Sequence, residues 1–200
     1  MQIDLPHLHY WMQAIRQSPD PIRTLDAFWS GQIKSKEWLI TQLAPFINKR
    51  VNVDIHGGWV GTLASMLFQS SIPVDTIRSI DIDYTCEATS TMMNMAEALV
   101  GRFKAITCDM CTIESYADVI INTSCEHITQ AQYDQWLNAI PNGSLIVLQS
   151  NNYKIPEHIR NADSIEEFIA QSAINVLFSD SLKLPLYSRY MIIGRKYVSV

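Results

Sequence analysis

The sequence predicts an α/β protein in which a doubly wound, mostly parallel sheet follows a set of helices. Three observations carry that expectation. The stretch Val51 to Ser65, VNVDIHGGWVGTLAS, reads as a short apolar strand, a glycine turn and the start of a helix. Further apolar stretches ending in polar residues recur down the chain and alternate with segments of helical spacing. The tail holds two apolar stretches on either side of a short loop, which suits an antiparallel hairpin as the last pair of strands.

Residues 1 to 50 read as helical. Tyr10, Trp11, Ala14 and Ile15 share one face of a first segment, which the breaker Ser18-Pro19-Asp20-Pro21 ends. A second helix starts at about Pro21. After the Ser30-Gly31-Gln32 turn, Ser35 offers a cap for a third helix over Lys36 to Phe46. Trp29, Gln32, Lys36 and Trp38 mix aromatic faces with polar tips, a combination that fits a ligand cover or a helical layer packed on a sheet.

In the first strand Val51, Val53 and Ile55 are β-branched, and Leu63, Met66 and Leu67 give the following helix its apolar face. Thr76 to Asp83 is a second strand, with Asp83 able to cap the next helix. That helix, about Cys86 to Leu99, turns Ala88, Met92, Met95, Ala96 and Leu99 inward. Phe103 to Asp109 and Tyr116 to Asn122 are the third and fourth strands. Trp136, Leu137 and Ile140 form a helix face, Pro141-Asn142-Gly143 a turn, and Ser144 to Gln149 a fifth strand. Ile165 to Ala173 is helical, and Ile174 to Phe178 and Tyr190 to Gly194 are the two strands of the hairpin. Without repeats or a Ser/Gly linker, residues 1–200 are expected to be one domain, a helical cap over 1–48 and a core over 49–200.

With 200 residues, 48% of them apolar, the chain can bury a sizeable core. Its net charge of −5 argues against a nucleic-acid partner. No run approaches the 18 or so apolar residues of a membrane span, and MQIDLPHLHYW lacks a basic flank followed by an apolar block, so a cytoplasmic protein is expected. Cys108-x-x-Cys111 is half of a zinc site, but Cys86 and Cys125 are isolated singles; buried thiols, and no metal, are expected. Oligomeric state is left open.

Four strands end in Asp54, Asp81, Asp109 and Asn122, and in a parallel sheet those ends converge on one edge. The turn Asp54-x-x-Gly57-Gly58-x-x-Gly61 supplies the second half of a dinucleotide fingerprint, with His56 where a first glycine would stand. Asp54 would repel phosphate and suits a cationic or hydroxylated ligand, which points to adenosylmethionine rather than NAD. Asp81, twenty residues past Gly61, lies where such a sheet presents a carboxylate to ribose hydroxyls.

From about residue 45 to 198 the order of these elements resembles the class I S-adenosylmethionine-dependent methyltransferases, whose fold is a Rossmann-like sheet of seven strands with the last one reversed. VDIHGGWVG is similar to the family's glycine loop, SIDID to its second-strand acid, ITCDM to its adenine-side acid, INTSCEHI to its fourth-strand segment, PNGSLIVLQSNNY to its fifth strand and YSRYMIIGRK to its reversed strand. The resemblance implies S-adenosylmethionine as cofactor. Asp54 and His56 would belong to the cofactor loop, and Gly57 and Gly58 would pass the methionine part. Asp81 beside Ile82 would hold the ribose, Asp109 and the Met110 backbone would meet the adenine, and Asn122 and Thr123 would lie beside the sulfonium. His56 and the bulky Trp59-Val60 depart from the pattern, and an Asn-Pro-Pro-Tyr motif is absent, which weakens a nucleic-acid amino-methylating role.

Glu126 and His127 follow the fourth strand, where a loop should border the acceptor, so His127 is the expected base or acceptor-positioning group. Tyr153 and Asn151 are further pocket candidates, and Cys125 lacks an activating partner. The expected activity is methyl transfer to a small molecule. Other uses of the cofactor, aminocarboxypropyl transfer or lyase breakdown, and a non-catalytic binding role remain open alternatives.

Overall fold

The first strand, β1 (Val51–His56), lies inside the sheet between β2 and β4; the chain passes from β1 to β2 through a helix and reaches β4 from β3 through the irregular segment 108–118. β2 (Val74–Asp81) and β4 (Val119–Asn122) pair with it in parallel, β3 (Phe103–Thr107) extends the sheet beyond β2, and β5 (Leu145–Asn151) beyond β4. β6 (Ile174–Lys183) and β7 (Ser188–Lys196) form the terminal hairpin, with β7 inserted antiparallel to β5. The resulting order is β3-β2-β1-β4-β5-β7-β6. A computed structural model describes residues 5–197; residues 1–4, where the expected cap and the leader reading begin, and residues 198–200 lie outside them.

Alternation along each strand divides the core into two layers. On one face Val51, Val53 and Ile55 pack with Leu39 and Leu43 of α3 (Ser30–Leu43) and Leu63 and Leu67 of α4 (Thr62–Phe68). On the other, Ile120, Ile146 and Ile192 pack with Tyr133 and Trp136 of α7 (Gln130–Ala139) and Phe168 of α8 (Ile165–Ser172). Each such aliphatic side chain contributes about 1.5–3 kcal/mol by leaving water. A third cluster joins Trp11 and Ala14 of α1 (Leu5–Gln17) to Ala27, after α2 (Pro21–Asp26), and to Val60 and Met93.

Local chemistry moves several expected boundaries. Ser35 caps nothing: α3 begins at Ser30, and Ser35 lies inside it, its hydroxyl donating to Gln149 Oε1 at 3.2 Å. The helix expected over 86–99 is two, α5 (Thr85–Met93) and α6 (Met95–Leu99), interrupted where Asn94 Nδ2 donates to the carbonyls of Gly61 and Ser90, each at 3.0 Å. Its buried face is Cys86, Thr89, Ser90 and Met93, whereas Leu99 is 74% exposed. β4 starts at Val119, since Ser115 turns inward to Asp54 while Tyr116 is exposed, and β6 runs five residues past Phe178 along its pairing with β7.

Candidate active site

Two runs of strands leave β1 in opposite directions, so their connecting helices separate and a crevice opens at the carboxyl ends of β1 and β4. A cavity of about 680 Å³ fills it, walled on one side by Trp29, Gln32, Ser35 and Lys36. The α3 segment is thus both a helical layer and a wall of the cavity, and Gln149 anchors it through the Ser35 hydroxyl and carbonyl.

The β1 to β2 half of the cavity is built from backbone. Gly57 has φ +68°, and a Cβ there would run into the Ser124 side chain; at Gly58 it would run into that of Ser79. Gly58 N–H donates to the Ile80 carbonyl at 3.0 Å, drawing the loop against β2. Trp59 then adopts φ +48°, a conformation that costs a bulky residue about 1–3 kcal/mol. Two contacts hold it: its N–H donates to Asp81 Oδ2 at 2.7 Å, and its ring packs with the Trp11 cluster.

Asp81 takes a second amide, Asp83 N–H, on Oδ1 at 3.0 Å. The carboxylate is fixed by two backbone donors and still has lone pairs facing the cavity that it lines. Asp83 is pinned by the Thr85 hydroxyl and amide and by Arg23 at 2.5 Å, which hold its carboxyl down at about 2. Ile82, 72% exposed, covers the same wall. Asp109 accepts from Cys111 N–H at 2.8 Å, and both Asp109 and Met110 line the cavity. Gly57, Gly58, Asp81, Ile82, Asp109, Met110, Thr123, Glu126 and His127 are therefore brought to one cavity.

Three expected residues are not. Asp54, 2% exposed, lies under the sheet, bound by Arg78 Nε at 2.8 Å and Nη2 at 2.5 Å and by the Ser115 hydroxyl. His56 is buried on the same face and accepts from Trp136 Nε1 at Nδ1; burial pushes its imidazole down to about 4. The cause is strand parity: Val51, Val53 and Ile55 occupy one face, so Asp54 and His56 occupy the other. Asn122 is fully buried at the end of β4, where its Oδ1 accepts from Ser124 N–H at 2.9 Å and its Nδ2 meets the Met110 sulfur.

The β4 to β7 half is built from buried side chains. Glu126, 3% exposed, sits in a 3-10 turn after β4, and its Oε1 accepts from Arg189 Nη1 at 2.6 Å and Asn151 Nδ2 at 2.5 Å. Arg189 Nη2 donates to the Thr123 carbonyl at 2.6 Å, tying β7 to the end of β4. Glu126 Oε2 is buried with no partner. Adjacent His127 is exposed, and its Nδ1 meets the Glu157 carbonyl at 3.1 Å. Across the cavity Lys36 donates to Gln32 Oε1 at 2.8 Å; burial, helped by the Arg189 charge, pushes its ammonium down to about 7.

Of the thiols, Cys108 lines the cavity, whereas Cys86, Cys111 and Cys125 are buried. All four cysteines are free; burial pushes Cys111 up to about 11 and Cys125 up to about 12, which leaves both protonated and unreactive. Sequence reading named Lys36 only as part of a cover and missed Arg189 and His158. A basic residue opening the reversed strand was the visible sign of the first; nothing local marks the second.

No family model and no curated protein matches the chain by sequence. Solved structures do match by shape. The N-methyltransferase NodS from Bradyrhizobium japonicum WM9, in complex with S-adenosyl-L-homocysteine, aligns over 95% of this chain and 98% of its own at 12% identity, with a TM-score of 0.66. Magnesium protoporphyrin IX methyltransferase (ChlM) from Synechocystis PCC 6803 with bound SAM aligns over 95% and 91% at 12% identity and 0.66. The mitomycin 7-O-methyltransferase MmcR aligns over 92% of this chain and 60% of its own at 15% and 0.66. The likeness is one of architecture, and on it the chain has the fold of the class I S-adenosylmethionine-dependent methyltransferases.

Proposed function

We propose that the protein is an S-adenosylmethionine-dependent methyltransferase acting on a small molecule. The observation that carries this reading is the convergence of a sterically compelled glycine turn, an amide-fixed carboxylate and a second strand-end carboxylate on one cavity at the β1/β4 switch point. The structural neighbours described above with SAM or its demethylated product bound support the same cofactor.

In this reading Gly57 and Gly58 hold the methionine part, Asp81 accepts from both ribose hydroxyls, and Asp109 with Met110 bounds the adenine. Thr123 flanks the sulfonium side. When bound, the cofactor supplies an electrophilic methyl group. The chain's own work is to align the acceptor and to take a proton where the acceptor carries one. Lys36 suits the second task, since near pH 7 a fraction of its amine is neutral. Glu126, held by Arg189 and Asn151, braces the loop and does not serve as a free base; His127 positions the acceptor. The net charge of −5 supports a small molecule over nucleic acid, four free thiols support a reducing, cytoplasmic setting, and the described helices include none long and apolar enough to cross a membrane. We take residues 1–200 to act as one domain, with the 1–48 cap closing the 49–200 core.

Calorimetric titration with adenosylmethionine and adenosylhomocysteine tests the reading. Micromolar binding to the wild type that Asp81→Ala weakens supports it; a wild type that binds neither ligand at millimolar concentration overturns it. Release of methylthioadenosine in place of adenosylhomocysteine would redirect it to another use of the same cofactor.

A further inference from the structure

On the acceptor side of the cavity, Glu126, His127 and His158 each present a metal-ligating atom, and the three atoms lie within 4.8 Å of one another. We propose that these three residues form a site for one divalent transition-metal ion, facing the pocket described above. The chemistry of each side chain is already set for it.

Both histidines meet backbone carbonyls through Nδ1: His127 that of Glu157 at 3.1 Å, and His158 that of Tyr153 at 2.6 Å. A carbonyl only accepts, so each Nδ1 is the donor, which leaves each Nε2 as the nitrogen available to a metal. An imidazole whose other nitrogen donates to a carbonyl is the form in which histidine binds metals. The third donor has an independent sign of its own. Glu126 is 3% exposed, its Oε1 is taken by Arg189 and Asn151, and its Oε2 is buried without any partner. A lone carboxylate oxygen out of water is costly unless a cation or a donor reaches it.

The His158 segment is held over the site even though residues 152–164 form no regular structure. Arg160 N–H donates to the Glu126 carbonyl at 3.1 Å, its guanidinium stacks 4.0 Å above the Tyr133 ring, and Asn161 Nδ2 donates to the carbonyls of Asn151 and Tyr153 at 3.2 and 2.9 Å. His127 and His158 face each other edge to face with ring centres 4.7 Å apart. In a tetrahedral site with bonds of about 2.0–2.1 Å the donors sit about 3.3 Å apart. Drawing the donors from within 4.8 Å to that spacing is a matter of side-chain rotation, and His127 is exposed and His158 half-buried.

Charge decides which ion fits. Arg189 already offsets the carboxylate, and Lys36 stands close enough to Arg189 to feel its field. Hard ions such as Mg²⁺ and Ca²⁺, which seek several anionic oxygens, are poorly served, whereas two imidazoles favour Zn²⁺, Co²⁺ or Ni²⁺. Three protein donors leave a coordination position open toward the cavity. Resting on the methyltransferase reading, that position would hold an acceptor carrying a hydroxyl or carboxylate oxygen, which is how His127 would do its positioning.

The test is titration of the full-length, chelator-treated protein with Co²⁺, followed by its visible absorption, beside a separate calorimetric titration with adenosylhomocysteine. The expected result is one equivalent of Co²⁺ bound at micromolar concentration, with affinity falling at least 10-fold in His158→Ala and in His127→Ala. His158→Ala should keep the wild-type affinity for adenosylhomocysteine, which shows that the cavity is intact. Wild type that takes up no Co²⁺ below millimolar, a His158→Ala variant that binds it equally well, or a signal abolished by Cys108→Ser overturns the site. Co²⁺ binding without adenosylhomocysteine binding leaves the metal site standing and removes the methyltransferase reading.

Discussion

The two halves of the cavity solve the same problem with opposite materials. The β1 to β2 half positions its groups with backbone: a glycine turn, a left-handed Trp59 and amide donors on Asp81. The β4 to β7 half uses buried charged side chains, with Glu126, Arg189 and Asn151 interlocked and a lone Glu126 oxygen left over. Backbone fixes a group cheaply but only near its own strand. A buried ion pair brings together residues 63 apart in sequence, at the cost of heavy dependence on each partner.

That contrast can be broken most severely on the charged side. Arg189→Met, which strands Glu126 without its cation, should lower unfolding free energy by about 3–5 kcal/mol in a denaturant titration. A change below 1 kcal/mol would mean that the carboxylate readily finds another partner or a proton.

Acid supplies the next largest effect, and it acts below the sheet. The folded state holds His56 near 4 against 6.5 for the free imidazole, so between these values the unfolded chain binds more protons. Stability contributed by the neutral ring is complete above about pH 6.5 and is lost as pH falls toward 4, up to about 3 kcal/mol. Thermal melts of wild type and His56→Leu across that window should show the slope in the first and a flatter line in the second.

On the backbone side the disturbance should fall on ligand and not on fold. Asp81→Ala should weaken adenosylhomocysteine binding by about 1–3 kcal/mol, while the melting temperature moves by only a few degrees. Equal losses in both would merge the two halves into one structural network. The gentlest test changes no residue: the Lys36 side-chain carbon signals should titrate near pH 7, well below the ordinary lysine value, in an NMR pH series. A midpoint near 10.5 would remove Lys36 as a proton acceptor.

The same contrast governs what could be read from the chain. The strands and the terminal hairpin were legible because apolar stretches bounded by turn residues are local signals, whereas the order of the strands across the sheet is set by tertiary pairing. Asp81 and Asp109 were legible for the same reason, each standing beside its strand end. Asp54 and His56 were misplaced although the information was present: Val51, Val53 and Ile55 already assign them to the opposite face. Asn94 hid a helix break, because an asparagine that reaches Gly61 over 33 residues looks like any other helical residue. Arg189 and His158 depend on tertiary closure, one arriving with a late strand and the other on an irregular segment pinned by Arg160 and Asn161.

The reversal of β7 also has a consequence for biosynthesis. An antiparallel strand begins at the edge where its parallel neighbours end, so Ser188 and Arg189, its first residues, meet the ends of β4 and β5. During synthesis the glycine turn, Asp81 and Asp109 all emerge long before that arginine does. A nascent chain complete through β5 would carry Glu126 beside Asn151 with no cation to neutralise it. The ribosome thus delivers the ligand-facing half first and the counter-charge for the other half only with β7, the last strand of the sheet in chain order. The finished pocket is set when the hairpin docks and brings Arg189 to Glu126.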